Sequence, residues 1–145
     1  MDLDISTAEL NHEIKEATDI DDYLNRNKKH LLSCSLYEHL QALLAEKKLS
    51  RSEVIRGSLL DRTYAYQIFS GEKKPSRDKL IALAFGMKLT GEETQKMLKL
   101  SGNRELYARD ERDATILYAL QHCRTIDETN ELLQAHGMNV LGAPL

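Results

Sequence analysis

The sequence predicts an all-α fold, on three observations. Ser or Thr followed three residues later by Glu occurs as Ser6/Glu9, Ser35/Glu38, Ser50/Glu53, Thr90/Glu93 and Thr125/Glu128. In that pattern each side chain satisfies the other residue's free backbone N–H at a helix start. Apolar residues behind most of these starts recur at three- and four-residue spacing, the period of a helix with one buried side. The chain also has 2 Pro and 7 Gly in 145 residues, too few for a many-turned β architecture.

The first 34 residues predict a helical arm. Ser6 to Ala17 carries Ala8, Ile14 and Ala17 on loosely one side. A second helix, about Asp19 to Leu31, has its acids (Asp19, Asp21, Asp22) at the start and Lys28, Lys29 and His30 at the end, the order that suits the helix dipole. The arm reads either as a packed appendage or as a dimerisation or regulatory element.

From Leu36 to Glu46, Leu36, Leu40, Leu43 and Leu44 give the i, i+4, i+7, i+8 stripe of a buried helix. Ser50 opens the next helix, about Arg51 to Ser58, with Val54 and Ile55 inward. Leu59 and Leu60 form a turn, and Asp61 caps a helix from Arg62 to Ser70 that buries Ala65, Ile68 and Phe69. Gly71 ends it, where a left-handed residue is wanted. After the Glu72-Lys73-Lys74 loop, Pro75 blocks helical continuation and Ser76 caps a helix from Arg77 to Phe85, with Gly86 read as its stop. Thr90 to Leu100 is a further helix, closed by Gly102. The last third holds two more, Ala108 to His122 and Ile126 to His136, followed by a tail after Gly137.

Net charge is −3, which on its own argues against a polyanionic partner. Its distribution argues the other way. Between Lys47 and Arg77 stand eight basic residues (Lys47, Lys48, Arg51, Arg56, Arg62, Lys73, Lys74, Arg77) and three acids (Glu53, Asp61, Glu72). That segment carries +5, and the rest of the chain −8. One basic face on an acidic body suits an oriented encounter with a polyanion.

The stretch Ile68-Phe69-Ser70-Gly71-Glu72-Lys73-Lys74-Pro75-Ser76, with the two short helices before it, resembles the helix-turn-helix of the Xre family, the Cro and phage-repressor group. The likeness spans about residues 36 to 90. It implies a lambda-repressor-like five-helix domain, placed over residues 35–101; the N-terminal helical arm (1–34) and the C-terminal helical pair (102–145), read from their own helix signals, lie outside it. It implies that Arg62 to Phe69 is the recognition helix, with Arg62, Thr63, Tyr66 and Gln67 on base edges, and that Arg51, Lys73 and Lys74 reach phosphates. Four positions depart from the family pattern: Arg51 replaces Gln, Ile55 replaces Ala, Leu59 replaces a turn Gly, and Phe69 stands where an acid is common. A non-glycine in left-handed geometry at Leu59 costs roughly 1–2 kcal/mol.

These residue types suit the chemistry. Gln67 can bond adenine bidentately and Arg62 guanine, while Thr63 offers a hydroxyl to a base or a methyl to thymine. Arg51, Lys73 and Lys74 supply orientation and salt-dependent affinity without sequence information. The plainer reading of Tyr64 is packing, and that of exposed Arg and Lys is solvated surface. One short helix reads few bases, so a homodimer on double-stranded DNA is expected. The alternative is a helical protein-interaction module, an antitoxin or signalling adaptor, using the C-terminal helices for a protein partner.

Other chemistries find little footing. His12, His30, His39, His122 and His136 are scattered, and Cys34 and Cys123 lack CxxC spacing, so no metal and no cofactor is expected. Both cysteines read as reduced, half-buried small apolar residues. Asp110, Glu111 and Asp113 read as dipole-matched acids of a first helical turn rather than a catalytic set. The expectation is a non-enzyme, cytoplasmic, with no membrane-spanning run and no signal-peptide profile at MDLDISTAEL.

Overall fold

The computed structural model describes residues 5–27 and 35–142, and within them all regular structure is helical. The elements are α1 (Thr7–Glu16), α2 (Ile20–Arg26), α3 (Leu36–Lys47), α4 (Arg51–Ser58), α5 (Arg62–Phe69), α6 (Arg77–Gly86), α7 (Gly91–Leu100), α8 (Glu111–Gln121) and α9 (Ile126–Ala135). None is long and apolar enough to cross a membrane.

The caps behave as the local sequence dictates. Ser6, Ser35, Ser50, Thr90 and Thr125 each accept the N–H three residues on, and at Ser50, Thr90 and Thr125 the Glu closes the box reciprocally. Asp61 accepts the N–H of Tyr64 at 3.0 Å, and Ser76 that of Lys79. Boundaries shift where local signals were thin. The second helix stops at Arg26 with Asn27 as its cap, and Lys28 to Leu31 lie outside the described residues. Helix α8 starts at Glu111, because Asp110 turns back to Tyr107 and caps the N–H of Asp113.

The core is one continuous cluster drawn from α3 to α9. It takes in Leu40, Leu43 and Leu44 of α3, Val54 and Ile55 of α4, Ala65, Ile68 and Phe69 of α5, Met97 and Leu98 of α7, Ile116 and Leu120 of α8 and Leu133 of α9. Helix α6 sits at its centre, with every residue from Leu80 to Gly86 buried. A helix that is dry all round has neighbours on every side.

Gly86 corrects the sequence reading. It is not a stop but a place of close approach: a Cβ there would collide with the Val54 carbonyl oxygen of α4, and one on Gly57 would come to 3.0 Å of the Gly86 Cα. The two backbones touch because neither glycine carries a side chain. The stop is Lys88, left-handed at φ 56°, with the N–H of Leu89 returning to the Ala84 carbonyl. Gly71, Gly102 and Gly137 do take positive φ after their helices.

The C-terminal segment is also tighter than a tail. Leu141 is 1% exposed, and its N–H and C=O both pair with the Asn130 side chain of α9, at 2.8 and 2.9 Å. Gly142 is left-handed and lies where a Cβ would be 2.5 Å from the Ser58 carbonyl oxygen and 3.0 Å from the Leu59 Cβ. The chain therefore returns to the turn between α4 and α5. In contrast, α1 buries no residue and Ile14 is 49% exposed, so its apolar side is not a core face.

Candidate nucleic-acid interface

Helices α4 and α5 are joined by Leu59, Leu60 and Asp61. Leu60 is buried beneath the turn, whereas Leu59 is 40% exposed and left-handed at φ 59°. The expected strain at Leu59 is thus present. The chain reverses there without the glycine that would relieve it.

Helix α5 has two unlike sides. Ala65, Ile68 and Phe69 point into the core. Arg62 and Thr63 are exposed, and one turn later Tyr66 and Gln67 are half-buried. A helix advances about 100° per residue, so positions 62, 63, 66 and 67 form one strip that faces away from Ile68, with Phe69 next to Arg62 at its edge and Tyr66 partly packed against the core. The Arg62 guanidinium lies 5.6 Å from the Tyr66 ring centroid, within cation–π reach. Tyr64 packs against the core edge, as its plainer reading held, with the Lys79 ammonium 5.7 Å from its ring.

The far end of α5 is held on two sides. The N–H of Gly71 bonds the Ile68 carbonyl at 3.1 Å, and those of Glu72 and Lys73 bond the Gln67 carbonyl at 2.9 and 3.1 Å. This closure fixes the loop that carries Lys73 and Lys74, both exposed, while Pro75 is buried. Gln41 of α3 donates to the Phe69 carbonyl at 3.1 Å. That contact ties α3 to the end of α5 across 28 residues, and no local sequence signal marks it.

The basic segment is smaller in space than in sequence. Lys47 pairs with Glu93 at 3.0 Å. Arg77 bonds both carboxylate oxygens of Asp113, at 2.8 and 3.1 Å, and the carbonyls of Arg104 and Glu105. Both cations therefore work within the fold. Lys48, Arg51, Arg56, Arg62, Lys73 and Lys74 remain at the exposed surface.

Asp113 is more than a dipole-matched acid of a first turn. Its side chain is 3% exposed, and it also accepts the Tyr107 N–H at 3.0 Å. Burial pushes its carboxyl up, but the Arg77 hydrogen bonds, the Tyr107 N–H and the charges of Arg77 and Arg104 outweigh that and hold it below the ordinary value. Of the histidines, His39 is buried in α3 with neither ring nitrogen hydrogen-bonded. Burial lowers its pKa against the opposing pull of Glu46 and Glu93, which favours a neutral ring. Cys123 is an exposed thiol at φ 54°, not a half-buried one, and Cys34 lies outside the described residues. Among the described residues, no three of His, Cys, Asp and Glu gather as a metal site needs.

No protein-family model, curated protein or solved structure matches this chain.

Proposed function

We propose that this protein is a sequence-specific DNA-binding transcriptional regulator of the Xre helix-turn-helix type, built on a lambda-repressor-like five-helix unit from α3 to α7 and acting as a homodimer. The observation that carries the reading is the two-sided character of α5. Three apolar side chains anchor it, Arg62 and Thr63 are exposed at its start, and Gln67 and Tyr66 are half-buried one turn later, Tyr66 with part of its ring against the core. A major groove admits one helix of this width. Arg62 and Gln67 are the base readers of greatest consequence, with Thr63 and Tyr66 beside them. Arg51, Lys73 and Lys74 take phosphates. In this reading the chain is not an enzyme and needs no cofactor.

Selection of bound duplexes from a random pool tests it directly. The expected product is a two-fold symmetric site with half-sites about one helical turn apart. Gln67→Ala costs roughly 1–3 kcal/mol and relaxes preference at one base pair, whereas Lys73→Ala weakens all sequences alike and lowers the salt slope. Identical base preferences and salt slopes in the two variants would overturn the assignments.

A second reading, a helical protein-interaction module, draws on the C-terminal pair. Tyr118 is 47% exposed and stacks on His122 with ring centroids 4.3 Å apart, and Tyr107 is 55% exposed. Aromatic rings at a surface are favoured contact points for protein partners. A gel-shift on random DNA at two salt concentrations separates the readings, since a protein-only module gives no salt-sensitive shift.

A further inference from the structure

A cavity of about 620 Å³ opens where α4, the end of α6 and the α8–α9 turn meet. That size is typical of small-molecule sites. Its wall is made of Leu49, Phe85, Leu89, Leu120 and Ile126, all but Leu49 buried in the core. Two features keep the space open. Gly57 and Gly86 form part of the lining where α4 crosses α6, so no side chain projects from either. The left-handed residues Lys88 and Cys123 turn the chain away at the ends of α6 and α8.

The rim is charged and uneven. Arg56, Lys88 and Arg124 stand against Glu53 and Asp127. Glu53 accepts the Ser50 N–H at 3.1 Å, so its carboxylate serves the cap of α4. Arg124 has a long, exposed pair with Glu128 at 3.7 Å. Arg56 and Lys88 form no ion pair within 4 Å among the described residues, and both lie at the surface. A lipophilic wall with Arg56 and Lys88 at its mouth, both within electrostatic reach of Glu53 but neither in an ion pair with it, suits one kind of occupant.

We propose that this cavity is a binding site for a small molecule with an apolar body and a single anionic head, of the kind a medium-chain carboxylate represents. The body lies against Leu89, Leu120 and Ile126, and the head meets Arg56 and Lys88. Because α4 supplies one wall and the α8–α9 turn another, a bound molecule clamps the C-terminal pair to the helix that precedes α5. The site stands whether or not α5 reads DNA, and its test does not use DNA.

Cys123 lines the cavity and provides the readout. In the Cys34→Ser variant of this 145-residue chain it is the only thiol. Alkylation by neutral iodoacetamide is followed with decanoate below its micelle concentration, with decyltrimethylammonium as the opposite-charge control. Decanoate at about four times its Kd is expected to slow alkylation roughly fivefold and to raise Tm, while the cation does neither. The surface variant Arg56→Gln/Lys88→Gln should bind decanoate about tenfold more weakly with an unchanged circular dichroism spectrum. Unslowed alkylation, equal protection by the cation, or undiminished affinity in that variant each overturns the proposal. If the double variant loses its fold, Lys88→Gln alone serves the same comparison.

Discussion

On its C-terminal side the molecule joins a helix pair to the centre through a buried ion pair, a returning strand of backbone and shared apolar residues. On its N-terminal side it carries a helix pair held, among the described residues, mainly to itself. Helices α8 and α9 place Ile116, Ala119, Leu120, Ile126 and Leu133 in the common core, and Arg77 reaches from α6 to Asp113. Among the described residues, helices α1 and α2 place none in it; Asn27 bonds Glu13 at 2.6 Å within the pair, and Tyr23 is the buried large side chain there. Both pairs begin with well-capped helices of ordinary propensity. Local helix signals thus say that an element forms, and long-range contacts decide whether it belongs to the body.

The sharpest way to break this contrast is Asp113→Ala. It leaves the Arg77 guanidinium largely buried without its carboxylate, which costs about 3–5 kcal/mol and is read as a lower urea midpoint. Leu141→Ala comes next, with an expected loss of about 2–4 kcal/mol for a fully buried leucine. If it is silent, the returning C-terminal segment is not part of the core.

Acid titration sharpens the same point. The Asp113 pKa is depressed in the folded state, so its contribution is complete above the unfolded value, about pH 4, and is lost as pH falls through the folded pKa. Glu53, Glu93 and Glu128 are also depressed and add to the loss. Asp113→Asn should therefore flatten, without abolishing, the fall in stability measured by urea unfolding between neutral and acid pH.

At the small end, Asp22→Ala removes an exposed i,i+4 pair with Arg26, and Ile14→Ser alters an exposed side chain. Each should shift the unfolding midpoint by no more than about 0.5 kcal/mol. A large effect from either would mean that the N-terminal pair is as integrated as the C-terminal one.

What was legible in the sequence follows the same division. Helix starts could be read because a cap and its N–H lie three residues apart. The two-sidedness of α5 could be read because it is a matter of period. Leu59 stands out as a left-handed turn residue only through the resemblance, at a position where the similar sequences carry Gly. Gly86 reads locally as a helix stop, because its real reason is a backbone 32 residues away. The Asp113 partnership spans 36 residues, so its type and position suggested only a dipole-matched acid. The cavity was invisible for a like reason: its lining comes from three separated stretches, between Leu49 and Asp127.

The all-round burial of α6 bears on how the molecule can be divided. A fragment cut to residues 35–101, tempting because it holds α3 to α7, the unit proposed to read DNA, would strip α8 and α9 from the centre and leave Arg77 without its acid. Such an excised piece would bare a greasy flank to solvent and be inclined to clump or to fold loosely. Weak DNA affinity in that fragment would report a damaged scaffold, so binding work belongs with the intact polypeptide.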